Sequence, residues 1–198
     1  VGYGSIGKRH TENLKKLKDS LTKIDLMLYR STKTNEKFPR NIKIYYDFNK
    51  ALSKGPDAVF ITNPTSLHIQ TALKAAKKGC HLFIEKPLSH NMKGADKLIN
   101  IIKKKNLIVM IGYNLRFHPS LQLIKNLLEK KSIGKIVSAR IEVGSYLPDW
   151  RKGKDYRESY SANKSLGGGV ILDLSHELDY LRWLLGEAAG VFCLSKKL

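Results

Sequence analysis

Apolar residues fall into short unbroken runs, separated by longer stretches in which they recur every three or four positions. The runs at 24–29, Ala58–Ile61, His81–Ile84 and 107–111 have the length and bulk of buried strands, and a shorter apolar stretch lies at 42–46. Segments 8–18, 66–78 and 93–105 carry the helical period. The first sets Leu14 and Leu17 on one stripe with lysines opposite, and the second stops at Gly79. Strand and helix in alternation predict an α/β fold, a doubly wound parallel sheet covered on both faces. A largely apolar helix over 170–185 and a strand at 191–194 follow, in a region 119–198 that reads as the start of a second, α+β domain.

Composition narrows the class. Of 198 residues, 42% are hydrophobic and 27% charged, which excludes a disordered chain. No apolar run approaches the roughly 18–20 residues of a membrane helix, so no membrane partner is expected. Cys80 and Cys193 are too few and too far apart for a disulfide framework or a cysteine zinc site, and His81, His90 and His118 match no ligand spacing. No metal is expected. The chain opens at Val1 without a charged-then-apolar leader, and a reducing, cytoplasmic setting is the simplest reading.

The formal charge of +19 comes from 36 Lys and Arg against 17 Asp and Glu. Such a balance is compatible with nucleic acid. Lysines outnumber arginines, 28 to 8, and many cluster near the ends of separate predicted helices, as at Lys15–Lys16, Lys77–Lys78 and Lys103–Lys104–Lys105. Cations there suit the helix macrodipole, so the charge reads mainly as solvated faces that attract anionic small molecules.

The first ten residues hold the sharpest local signal. Gly2, Gly4 and Gly7 form G-x-G-x-x-G directly after Val1, and Ser5 and Ile6 within it are cofactor-binding candidates with the glycines. In a Rossmann dinucleotide fold the first glycine makes the turn and the second admits the pyrophosphate. The third lets helix and strand pack closely, and the helix N-terminus holds the phosphates. The strand that should precede this motif is almost absent, so the chain is expected to be truncated there. His10, one turn beyond Gly7, reads as structural. A carboxylate about 20 residues on would bind the ribose of NAD. The second strand ends instead in Tyr29-Arg30-Ser31, and Arg30 with Ser31 favours NADP over NAD, although many sites of this kind accept both.

Three further segments give the pattern a family. They are Thr62-Asn63-Pro64-Thr65-Ser66-Leu67-His68, Glu85-Lys86-Pro87, and Gly167-Gly168-Gly169 followed by Asp173, His176 and Asp179. In this order, after the glycine motif, they resemble the Gfo/Idh/MocA oxidoreductases over essentially the whole chain. The stretches 144–151 and 155–157 look most like members from surface-polysaccharide and nucleotide-sugar pathways. The resemblance implies a Rossmann domain over 1–118 and a partial substrate and oligomerisation domain over 119–198, stopping as its sheet begins. It also implies a homo-oligomer in the complete protein.

Oxidising a sugar hydroxyl needs a base for its proton and a cation for alkoxide character. By resemblance Lys86 is that cation, His176 the acid/base and Asp173 its orienting partner. On a helix, Asp173, His176 and Asp179 fall within about 120° of one another. Family members commonly place four positions between the aspartate and histidine, where this chain has three, whereas the His176–Asp179 spacing keeps the pattern. Asn63, Pro64, His68 and Glu85 resemble the loops around the cofactor's ribose and nicotinamide. Asn114, Trp150 and Arg151 would face the substrate. Arg116 would hold either a substrate hydroxyl or phosphate, or an interdomain carboxylate. The expected reaction is hydride transfer between a nicotinamide and a secondary hydroxyl of a sugar or nucleotide-sugar. A free-sugar or cyclitol dehydrogenase, and a cofactor-sensing regulator without turnover, are the alternatives.

Overall fold

The computed structural model describes residues 1–18, 24–33, 38–39, 42–150, 153 and 155–196. Helix α1 (Ser5–Lys18) follows the glycine turn, then strands β1 (Met27–Tyr29) and β2 (Lys43–Tyr45) pair in parallel. A one-turn helix α2 (Phe48–Leu52), capped by the Asp47 side chain, leads to β3 (Ala58–Ile61). Helix α3 (His68–Lys77), β4 (His81–Ile84), α4 (Ala95–Lys105) and β5 (Val109–Ile111) complete the alternation. β3, β4 and β5 form a second parallel ladder in the order β3-β4-β5.

Val1 and Gly2 lie between the two ladders. Gly2 N–H donates to Tyr29 O at 3.1 Å on the β1 side. On the other side Val1 N donates to Phe60 O at 2.6 Å and accepts Thr62 N–H on its own carbonyl at 2.9 Å. The spatial order is therefore β2-β1-(Val1–Gly2)-β3-β4-β5, in which strand order reverses at the N-terminal segment. That reversal opens the crevice at which open α/β sheets bind ligands.

The core is built on β3 and β4, where Ile61 and Ile84 are fully buried. Ala72, Ala75 and Ala76 of α3 are equally inaccessible, and their small side chains let the helix lie close on the sheet. Phe60 and Phe83 stack across the two strands with centroids 4.9 Å apart.

Beyond β5 come α5 (Pro119–Glu129), several single turns of 3₁₀ helix, α6 (Val170–Asp173) and α7 (Ser175–Leu185). The expected helix over 170–185 is thus broken at Leu174. At the break Lys86 Nζ donates to the Asp173 carbonyl, the acceptor that an unbroken helix would offer to Glu177 N–H. Glu177 N–H turns to Leu174 O instead, at 3.4 Å. Residues 24–26 of the expected first long strand are not paired, and 107–108 lie outside β5. The expected strand at 191–194 does not form. Val191, Phe192 and Leu194 stand exposed, with no neighbouring strand among the described residues to pair with. The same holds across 119–198, whose described residues are helical or irregular.

Candidate active site

The crevice is a cleft of about 1200 Å³ that runs from the glycine turn to α6 and α7. At one end Gly2 has φ +85°, and a Cβ there would stand 2.9 Å from Thr62 O. A Cβ on Gly7 would stand 2.7 Å from both Gly2 O and Thr62 Oγ1, so only glycine lets α1 lie this close to the sheet. Gly4 is the opposite case: a side chain there would meet nothing within 4 Å and would project into the cleft. The ladder of α1 begins with Lys8 N–H on Gly4 O at 2.9 Å, leaving the amides of Ser5, Ile6 and Gly7 outside it. Open space over Gly4 facing helix amides fits a pyrophosphate, so these residues suit a dinucleotide.

Arg30 and Ser31 line the same end, with the Arg30 guanidinium 5.3 Å from the Phe38 ring centre. Among the described residues lining the cleft, the carboxylates are Glu85 and Asp173, and both influence Lys86.

The middle of the cleft is walled by the loops after β3 and β4. Asn63 Nδ2 donates to Thr71 Oγ1 at 3.0 Å, while its Oδ1 is buried without a partner. Pro64 opens a 3₁₀ turn on the cleft wall. His68 is 1% exposed, and its two ring nitrogens lie 2.9 Å from Asn63 O and Pro87 O. Its ring ties the two loops together from within, while His68 also lines the cleft. Burial holds its pKa below the ordinary histidine value. Glu85 lines the cleft with both oxygens engaged: Oε1 lies 2.6 Å from His10 Nε2, and Oε2 accepts Lys86 N–H at 3.1 Å.

Lys86 and His176 meet where the sheet region faces α6 and α7. Burial lowers the Lys86 pKa, against the pull of Asp173, Glu85 and Glu177. Burial also lowers that of His176, and the Lys86 ammonium lowers it further. His176 packs edge-on against Tyr113, with ring centres 5.7 Å apart, and its Nδ1 is buried without a partner. Asp173 lines the cleft, but it reaches Lys86 by a main-chain hydrogen bond, and no hydrogen bond joins its carboxylate to His176.

Asn114 and Trp150 line the cleft, and Trp150 Nε1 donates to Ser145 Oγ. Arg116 does not line it. Its guanidinium forms two bonds to Asp179, Nε to Oδ2 at 2.8 Å and Nη2 to Oδ1 at 2.6 Å, so the carboxylate alternative is the one observed. Arg151 lies outside the described residues.

One cleft residue, Tyr160, carried no sequence signal of its own. Tyr160 OH donates to Gly167 O at 3.0 Å and lies 2.5 Å from Thr65 Oγ1, tying the glycine-rich segment to the loop after β3. Burial raises the Tyr160 pKa. A Cβ on Gly167 would stand 2.9 Å from the Thr65 Cβ, and one on Gly168 would stand 2.2 Å from Tyr160 O. His10, read as structural, also lines the cleft. Among the described residues no His, Cys, Asp and Glu cluster could hold a metal, and no helix is long and apolar enough to cross a membrane.

Comparison with known proteins agrees with this architecture. Residues 1–113 match the oxidoreductase family with an NAD-binding Rossmann fold, and 121–198 match the GFO/IDH/MocA C-terminal domain. The chain is 34% identical over 146 residues to levoglucosan dehydrogenase of Pseudarthrobacter phenanthrenivorans, covering 72% of this chain and 37% of that protein. It is 32% identical over 196 residues to myo-inositol 2-dehydrogenase of Thermotoga maritima, covering 94% and 54%. The chain therefore spans about half or less of the length of these curated relatives. Levoglucosan dehydrogenase solved with NADH and levoglucosan superposes with a TM-score of 0.76 at 26% identity, covering 94% of this chain and 53% of that one. With its glycine turn, its lysine after β4 and its histidine on α7 in one cleft, the chain belongs to the GFO/IDH/MocA family of oxidoreductases.

Proposed function

We propose that the protein catalyses hydride transfer between a nicotinamide dinucleotide and a secondary hydroxyl of a sugar or cyclitol. In this reading residues 1–118 hold the dinucleotide and 119–198 supply the substrate side. The observation that carries it is the convergence of Lys86 and His176, from the two regions, at the end of a cleft whose other end is the glycine turn. Levoglucosan and myo-inositol dehydrogenases among the relatives support a cyclic polyol as substrate. The one cation placed at that end among the described lining residues is Lys86, since Arg116 is engaged by Asp179.

The dinucleotide, when bound, supplies the hydride acceptor. The chain does the rest. Neutral His176 takes the hydroxyl proton at Nε2 as the carbon gives up hydride and the carbonyl forms. Lys86 stabilises the alkoxide character that develops on the oxygen, in a partly dry site where such a charge counts for more. Asn114 and Trp150 orient the ring. At the far end Arg30 and Ser31 line the cleft, and a guanidinium with a hydroxyl there supports acceptance of NADP(H) alongside NAD(H).

The test is a fluorescence titration of the full chain with NADH and NADPH, followed by assay on levoglucosan, myo-inositol and a panel of nucleotide-sugars. Micromolar binding, turnover of a free polyol and loss of any NADPH preference in Arg30→Ala are expected. Absence of binding to either dinucleotide overturns the reading and leaves a regulator of the same fold. Turnover confined to nucleotide-sugars overturns the choice of substrate.

A further inference from the structure

The least explained group in the cleft is His10. It sits on α1, the helix whose first turn faces the pyrophosphate position, and its Nε2 lies 2.6 Å from Glu85 Oε1. Its ring is held edge-on to Phe83 at 4.8 Å and tilted against Phe60 at 5.9 Å, on the stacked aromatic pair that spans β3 and β4. Glu85 has no freedom of its own. Its second oxygen accepts the N–H of Lys86, and its carboxylate lies flush on the backbone of Gly112, where a Cβ would stand 3.2 Å from Cδ and both oxygens. The carboxylate is therefore held by α1 on one side, the Gly112 backbone just after β5 on another and the Lys86 peptide on a third.

We propose that His10 is a positioning residue for Lys86, acting through Glu85, so that the helix that grips the phosphates also sets the lysine at the opposite end of the cleft. The inference rests on the proposed dehydrogenase reading for the role of Lys86. The mechanics are local. Glu85 is the residue immediately before Lys86, so tilting its carboxylate tilts the peptide from which the lysine side chain departs. The same carboxylate also acts on the Lys86 charge from a fixed distance, favouring the ammonium against burial. Releasing His10 loosens both effects while leaving every direct contact of Lys86 in place.

The experiment compares wild type, His10→Ala, His10→Gln, Glu85→Gln and the His10→Ala/Glu85→Gln pair in the full chain. The glutamine amide nitrogen stands close to where Nε2 stood, so His10→Gln keeps the donor to Glu85. Two readouts are taken: the Lys86 titration followed by NMR of the labelled ε-nitrogen without dinucleotide, and kcat with the polyol that the wild type turns over. His10→Ala is expected to shift the Lys86 titration and to lower kcat about tenfold, with NADH affinity within about threefold of wild type. His10→Gln should recover most of both, and the double variant should be no worse than Glu85→Gln alone. A His10→Ala protein with unchanged Lys86 titration, or additive effects in the double variant, overturns the proposal. If the wild type turns over no polyol, the dehydrogenase reading fails, while the Lys86 titration still decides the coupling.

Discussion

Lys86 reaches Asp173 through the main chain: its ammonium donates to the carbonyl, and the aspartate carboxylate influences it only across space. The lysine thus holds the end of one helical segment, α6, and its charge is offset by a peptide dipole and by surrounding acids. Removing the ammonium should free that carbonyl as well as the charge. Lys86→Ala is expected to lower kcat at least about 100-fold while leaving NADH affinity within about threefold. Stopped-flow hydride transfer beside a fluorescence titration separates the two effects. A comparable loss in affinity would show that Lys86 chiefly holds the dinucleotide.

His176 gives the site a pH dependence with a definite sign. Burial and the neighbouring Lys86 charge both disfavour its protonated form, so its proton leaves below the ordinary histidine value of 6.5. Alcohol oxidation needs the neutral ring, and the acidic limb of kcat is therefore expected below that value. Lys86→Met removes one of the two causes, and the His176 ring should then titrate at higher pH. Proton NMR of the ring in both proteins checks this, and an unchanged or lowered midpoint would contradict it.

Arg116 and Asp179 form a two-bond ion pair in which the Asp179 side chain is only 12% exposed. Arg116→Ala leaves that carboxylate largely buried without its fork, and is expected to destabilise the fold by about 2 kcal/mol. Arg116→Lys should recover less than half of it, since an ammonium cannot span both oxygens. Urea unfolding measures the loss. A raised KM with unchanged stability would return Arg116 to the substrate.

Gly4 and Gly7 separate binding from folding. Gly7→Ala places a methyl 2.7 Å from two oxygens and is expected to cost about 1–3 kcal/mol. Gly4→Ala meets nothing in the fold, so its melting temperature should stay within about 2 °C of wild type. Its methyl enters the cleft, and NADH affinity should fall at least about tenfold. Thermal melts and titrations of the two variants distinguish them.

The sheet region was legible where turn chemistry brackets the apolar runs. β3 and β4 match the reading to the residue because Gly55-Pro56 precedes one and Glu85-Lys86-Pro87 ends the other. Periodicity could not show the break at Leu174, where the Asp173 carbonyl meets a lysine 87 residues before it. Nor could it show that Val191, Phe192 and Leu194 lack a ladder, because a strand is a property of two segments. Helix α5 was missed although Pro119 sits in its first turn, a common place for proline. At the site, motifs marked Lys86 and His176 as candidates, and both line the cleft, whereas the contacts of His10, Arg116 and His68 depend on which carbonyl or carboxylate each one meets in space.

The seam at Gly167 and Gly168 bears on how such a cleft can change its preferences. There, main chain rests on main chain and on Cβ atoms, with no larger side chain between that a smaller one could replace. A junction of that kind offers no intermediate settings, so drift in substrate range has to arise elsewhere. Asn114 and Trp150 are exposed on the cleft wall and can vary in bulk without disturbing the seam. Selection for a new cleft ligand would therefore act first on these positions, while the glycines hold the geometry constant beneath them.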